Sequence, residues 1–92
     1  MNLSIKNDID KLSRTFKALS CTTRLRIIIG LIENNMINVK QIAEELGIAQ
    51  PNISQHLTIL KNLGLIEGYR KGNQICYKVI DTQTHAIIQS VK

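Results

Sequence analysis

The chain has 92 residues, 43% of them hydrophobic and 21% charged, with five glycines and one proline; this describes one globular domain and excludes a disordered or low-complexity polymer. Aromatic residues make up only 3%, so the core must be built from Ile and Leu, and single-strand binding by stacking bases on aromatic platforms is disfavoured. The formal charge of +5 at pH 7 suits a polyanionic partner, and a domain this small gains from burying further surface by self-association.

Ile5, Ile9, Leu12, Phe16 and Leu19 recur at helical spacing and predict an amphipathic first helix whose apolar stripe needs a partner. Ser20 and the CTT after it offer start signals for a second helix through Arg24 to Glu33, and its RLRIIIGLI segment, apolar on nearly every side, belongs in the centre of the core. Met36 and Ile37 form a short extended piece. Asn38 with Gln41 resembles a capping box, opening a third helix that carries Val39, Ile42, Ala43 and Leu46 on one face and ends at Gly47.

From about Gln50 to Leu63 a fourth helix turns Ile53, Leu57 and Leu60 inward and Asn52, Gln55 and Thr58 outward, with Ser54 and Lys61 on one flank and His56 on the other. Gly64 ends it. LIEGYR and QICYKVI, joined by Lys71-Gly72-Asn73, then read as a basic-tipped hairpin, and Asp81 or Thr82 caps a final helix through Ala86, Ile87, Ile88 and Val91. The expected architecture is a single domain over residues 1–92, mainly α with a small β-hairpin, in the order α-α-α-α-β-β-α.

A helix, a tight glycine turn and a polar-faced helix make a helix-turn-helix, and the major groove of B-DNA admits one helix whose short amides and hydroxyls reach base edges. Gln50, Asn52, Ser54 and Gln55, with Thr58 on the same face, are the base-reading candidates. Lys61, Arg70, Lys71 and Asn73 are expected near phosphates or a minor groove, and Lys40 on the third helix joins the DNA-binding set. From Ile48 to Ile80 the cations Lys61, Arg70, Lys71 and Lys78 face one anion, Glu67, which concentrates positive charge in this segment. In the plainer reading the polar helix face is merely solvated; the basic hairpin beside it favours DNA.

The segments FKALSCTTRLRIIIGLIE, VKQIAEELGIAQPNISQHLTILKNLGLI and YRKGNQICYKV resemble the ArsR/SmtB family of prokaryotic winged-helix repressors, over about Phe16 to Asp81. The most specific part is GIAQPNISQHLTILKNLGLI, whose Gln-Pro, Ser-Gln-His-Leu and Leu-Gly-Leu elements fall in the family's order and spacing. The resemblance implies a homodimer joined through its first and last helices, with Ile5, Ile9, Leu12, Ile87, Ile88 and Val91 as interface candidates. It also implies a repressor that binds an imperfect palindrome and is released by an inducer, here a small-molecule or redox signal of unknown identity.

The chain departs from the family pattern at several points. Ala49 stands where the family often has a capping Ser, a loss of about 1 kcal/mol that Pro51 partly offsets by presetting the backbone. Asn38, Val39 and Lys40 replace the Cys-Val-Cys element of the metal-sensing members, so that site is absent. Asp81 matches the first ligand of the family's zinc site on the final helix, but Gln83 replaces its histidine, and His85 alone is expected to be solvent-exposed and inert. No metal and no cofactor are expected.

Cys21, where the family commonly has Asp at the start of the second helix, and Cys76 are the candidates for a redox or electrophile switch; the plainer expectation is that both are small, inert, partly buried residues. One lies before the core helix and the other on the hairpin, so no disulfide is expected. The charged opening MNLSIKNDIDKL is unlike a secretory leader and no stretch approaches a membrane span, which points to a cytoplasmic protein with reduced thiols and no membrane partner. There is no glycine-rich phosphate loop and no nucleophile with a partnered base, so an enzyme is not expected. The competing function is a winged-helix protein-docking module without specific DNA binding.

Overall fold

The turns of the chain lie where individual residues permit them. Gly47 ends the third helix with φ +67°, a left-handed conformation that a side chain disfavours, and Gly72 turns the hairpin with φ +64° at the first of its two central positions, as a type II′ turn requires. The computed structural model describes residues 7–91, arranged as α1 (Asn7–Leu19), α2 (Thr22–Glu33), α3 (Val39–Leu46), α4 (Gln50–Asn62), β1 (Ile66–Lys71), β2 (Gln74–Val79) and α5 (Thr82–Ser90). This is the expected order, a mainly α winged helix-turn-helix with one antiparallel hairpin.

The α2 helix sits at the centre and packs against α1, α3, α4 and β2. Its Ile27 and Ile28 are fully buried with Ile42 of α3, Ile53, Leu57 and Leu60 of α4, and Leu65 and Ile66 entering the hairpin. An all-aliphatic core of this kind follows from the scarcity of aromatics. Gly30 is part of it: the end of the Met36 side chain occupies the space a β-carbon at position 30 would take.

The α1 helix corrects the simple picture of one continuous stripe. Leu19 enters the core with Ala18 and Thr15, while Ile9 and Phe16 remain 45% and 51% exposed and Leu12 is half-buried. Thr15 tolerates burial because its hydroxyl donates to the Lys11 carbonyl at 3.2 Å. Of the described stripe residues, Ile9 and Phe16 therefore face away from the protomer.

In β1 and β2 the register pairs Ile66 with Val79 and Lys71 with Gln74. The expected extended piece at Met36–Ile37 joins this ladder at its edge. The Ile37 carbonyl accepts from the Tyr77 N–H at 2.7 Å, and Asn38 bridges Cys76. Asp81 is the cap of α5: its Oδ2 accepts from the Thr84 N–H at 2.9 Å and from the Thr84 hydroxyl at 2.7 Å. That draws Thr84 inward, and Ile88 one turn later follows it into the core.

Candidate nucleic-acid interface

The site begins at Asn38. Its Oδ1 accepts from the Gln41 N–H at 2.8 Å, while Gln41 Oε1 accepts from the Asn38 N–H at 3.2 Å, so both halves of the expected capping box are made. After Gly47 the chain turns, and α4 opens at Ala49, which offers no side-chain cap; its carbonyl accepts from the N–H groups of Asn52 and Ile53 at 3.0 and 3.2 Å. Pro51 lies in this first turn, where its missing N–H is of no consequence.

Along α4 a buried aliphatic row and an exposed polar row can be told apart, and Ile59, 40% exposed, lies outside the buried row. Ile53, Leu57 and Leu60 anchor the helix in the core, whereas Gln50, Asn52, Ser54, Gln55, Thr58 and Lys61 are all exposed. The 13 residues form a rod about 20 Å long, which fits a groove about 12 Å wide. The Thr58 hydroxyl donates to the Ser54 carbonyl at 3.0 Å, which directs its proton to the helix and leaves its lone pairs outward.

His56, on the flank of α4, is half-buried, with Nδ1 lying 3.4 Å from the guanidinium of Arg24. The same guanidinium donates through Nε to the Ala18 carbonyl at 2.9 Å, so Arg24 fastens α4 to the end of α1. Sequence reasoning placed Arg24 in the opening of the second helix and missed this role, because its partners lie 6 and 32 residues away.

On the hairpin, Arg70, Lys71 and Asn73 are exposed near the tip. Neighbouring strand residues point to opposite faces, so Arg70 stands beside Ile75 on one face and Lys71 beside Gln74 on the other. Lys78 is different. It pairs with Glu67 at 3.3 Å and lies 5.7 Å from the centre of the Tyr69 ring, so its charge is balanced locally. The hairpin is held close to its tip: Asn38 Nδ2 donates to Gln74 Oε1 at 3.1 Å, and Gln74 is the first residue after the Gly72-Asn73 turn. Lys40, exposed on the first turn of α3, lines the hollow between Asn38, Gln74 and Ile75.

The remaining candidates are placed as follows. Ile9 and Val91 are exposed, Leu12 and Ile87 are half-buried, and Ile5 lies outside the described residues. Ile88, expected at a dimer interface, is instead 3% exposed in the protomer's own core. His85, expected to be solvent-exposed, is half-buried with Nε2 3.3 Å from the Val79 carbonyl. Cys21 is half-buried at the N-cap of α2 and makes no capping hydrogen bond; Cys76 is buried in β2, and both thiols are free. Among the described residues no three His, Cys, Asp or Glu side chains gather as a metal-holding group, and no helix is long and apolar enough to cross a membrane.

Residues 21–68, from the N-cap of α2 into β1, match the family described as bacterial regulatory protein, arsR family. The chain belongs to the arsR family. This arsR-family chain is 38% identical over 82 residues to the uncharacterized HTH-type transcriptional regulator MJ1325 of Methanocaldococcus jannaschii, covering 89% of the one and 92% of the other. It is 39% identical over 71 residues to the transcriptional repressor SdpR of Bacillus subtilis, covering 77% and 78%. Its fold is similar to HlyU from Vibrio cholerae N16961, with a TM-score of 0.87 and 25% identity over 95% of this chain and 94% of that one. The chain spans 64% of the length of a mycobacterial regulator to which it is 35% identical. It is a winged-helix transcriptional regulator of the arsR family, and not an enzyme.

Proposed function

We propose that this regulator binds duplex DNA as a homodimer, setting α4 of each protomer into successive major grooves of a palindromic operator and repressing the adjacent promoter by occupying it in the cytoplasm. The observation that carries the reading is the division of α4: three fully buried aliphatic anchors on one side, and six exposed hydrogen-bonding or cationic side chains on the other. Gln50, Asn52 and Gln55 carry amides suited to adenine N6 and N7, and Ser54 and Thr58 carry hydroxyls of shorter reach. Lys61, Lys40, Arg70, Lys71 and Asn73 supply phosphate or minor-groove contacts.

The dimer is supported by what α1 and α5 leave uncovered. Phe16, Ile9 and Val91 are 51%, 45% and 78% exposed, an arrangement unfavourable in water unless a partner covers it.

Binding-site selection from random duplexes, followed by anisotropy titrations at several salt concentrations, tests this. The expected product is an inverted repeat with half-sites about 10 bp apart, and an affinity that falls steeply with salt. Absence of duplex binding even at low salt refutes the reading and favours a protein-docking module. Sedimentation is expected to give a dimer for the native chain and a monomer for Phe16→Lys.

A further inference from the structure

Between α1 and α4 lies a groove of about 280 Å³ that the DNA reading does not use, lined by Arg14, Lys17, Ala18, Arg24, Ile59 and Leu63. Its floor is apolar. Ala18 is buried, whereas Ile59 of α4 and Leu63 at its C-cap are 40% and 37% exposed, unlike the inward Ile53, Leu57 and Leu60. The rest of the lining is cationic, with no acidic side chain among it. The Arg24 guanidinium is held in place by the Ala18 carbonyl and His56, which engage two of its five N–H groups and leave the others for an acceptor.

We infer that this groove binds a small amphipathic carboxylate, whose aliphatic or aryl body lies on Ile59 and Leu63 and whose charge lies between Arg14, Lys17 and Arg24. A preset guanidinium beside two further cations favours a carboxylate, which it can bind in bidentate fashion. The apolar floor selects against a bare inorganic anion, and the volume admits one short chain or ring, too little for a peptide helix. The outward stripe of α1 does not compete for the site: Phe16 lies about 160° around the helix from both Arg14 and Ala18, so a partner on that stripe leaves the groove open.

Arg24 also gives the site a route to α4. A carboxylate on its guanidinium bears on the group that touches His56, one residue from Gln55. The ligand site stands on its own geometry, while this effect on DNA rests on the proposed function.

The test is octanoate added to the ¹⁵N-labelled full chain below the concentration at which it self-associates, with octanol and butyrate as controls. The expected result is saturable shifts at the amides of Arg14–Ala18 and Ile59–Leu63, with both controls weaker by on the order of tenfold, since one lacks the charge and the other the body. The double variant Arg14→Glu, Lys17→Glu changes two exposed side chains and is expected to keep its helical circular dichroism while losing octanoate affinity by a similar factor. Shifts centred on Ile9 and Phe16, octanol binding as well as octanoate, or a folded double variant that binds octanoate like the native chain would each overturn the site. Anisotropy on the selected duplex reads the second step: octanoate is expected to weaken DNA binding by the native chain, and an unchanged affinity at saturating octanoate overturns the coupling. Failure to bind any duplex would sink the DNA reading while the amide shifts still decide the site.

Discussion

Asn38 and Gln74, 36 residues apart, meet amide to amide at 3.1 Å, and this contact joins the start of the helix-turn-helix to the tip end of the wing. Asn38 thus serves two elements with one side chain: its oxygen caps α3 and its nitrogen holds β2. The two roles are separable by length. A serine at this position still caps but is too short to reach Gln74.

Asn38→Ser is therefore expected to unfold in urea within a few tenths of a kcal/mol of the native chain, while Asn38→Ala loses about 1 kcal/mol with its cap. Both variants should raise ¹⁵N-detected mobility at Gly72 and Asn73 on the wing tip. A wing as rigid in Asn38→Ser as in the native chain would mean that the backbone link between Ile37 and Tyr77 holds the hairpin alone.

Gly30→Ala sets two effects against each other. Alanine favours a helix interior by about 1 kcal/mol over glycine. Its β-carbon, however, claims the space of the Met36 side-chain terminus, and overpacking a core costs about 1–3 kcal/mol. Steric conflict is expected to win by about 1 kcal/mol in denaturant unfolding. Combining Gly30→Ala with Met36→Ala should recover part of that loss relative to Met36→Ala alone, because the conflict is then gone.

Among the described helix starts, α2 at Cys21 and α4 at Ala49 lack a side-chain cap; Cys21 is extended with φ −81° and ψ 120°, and Ala49, with φ −59° and ψ 139°, lies close to that region. Ala49→Ser and Cys21→Ser are each expected to stabilise the chain by about 1 kcal/mol, which raises Tm by about 4–8 °C in a domain of this size. Calorimetry reads the effect directly. No rise for Ala49→Ser would indicate that Pro51 already provides what the cap would add.

Base reading and phosphate gripping should separate by mutation. Gln55→Ala is expected to cost about 1–3 kcal/mol on the preferred duplex and little on a scrambled one. Arg70→Ala and Lys71→Ala should weaken both duplexes alike and lower the salt slope by about 1 each. Titrations against the two duplexes at three salt concentrations distinguish these patterns. Loss of discrimination in Arg70→Ala with none in Gln55→Ala would place the wing, and not α4, in the role of sequence reader.

Much of this protein was legible in the order of its residues because the forces concerned are local. A capping box spans four positions, a left-handed glycine acts on its own turn, and the inward row of Ile53, Leu57 and Leu60 follows from helical periodicity. The polar row of Gln50, Asn52, Ser54, Gln55 and Thr58 is the complement of that inward row, so the candidate interface on α4 was readable with the helix itself. Family resemblance in the helix-turn-helix agreed with those local signs.

What the tertiary structure alone decided was which apolar residues find something to pack against. Ile87 and Ile88 are equivalent in the sequence, but the Asp81 cap orients Thr84 inward and carries Ile88 into the core after it, leaving Ile87 only half-buried. Along α1 the same periodicity that predicts a stripe does not say that Thr15 and Ala18 are buried while Phe16 faces out. The Arg24 bridge to His56, the Asn38 bridge to Gln74 and the basic groove over Ile59 and Leu63 likewise arise between elements. Periodicity and capping act within a few residues of chain, whereas burial depends on what the fold places opposite.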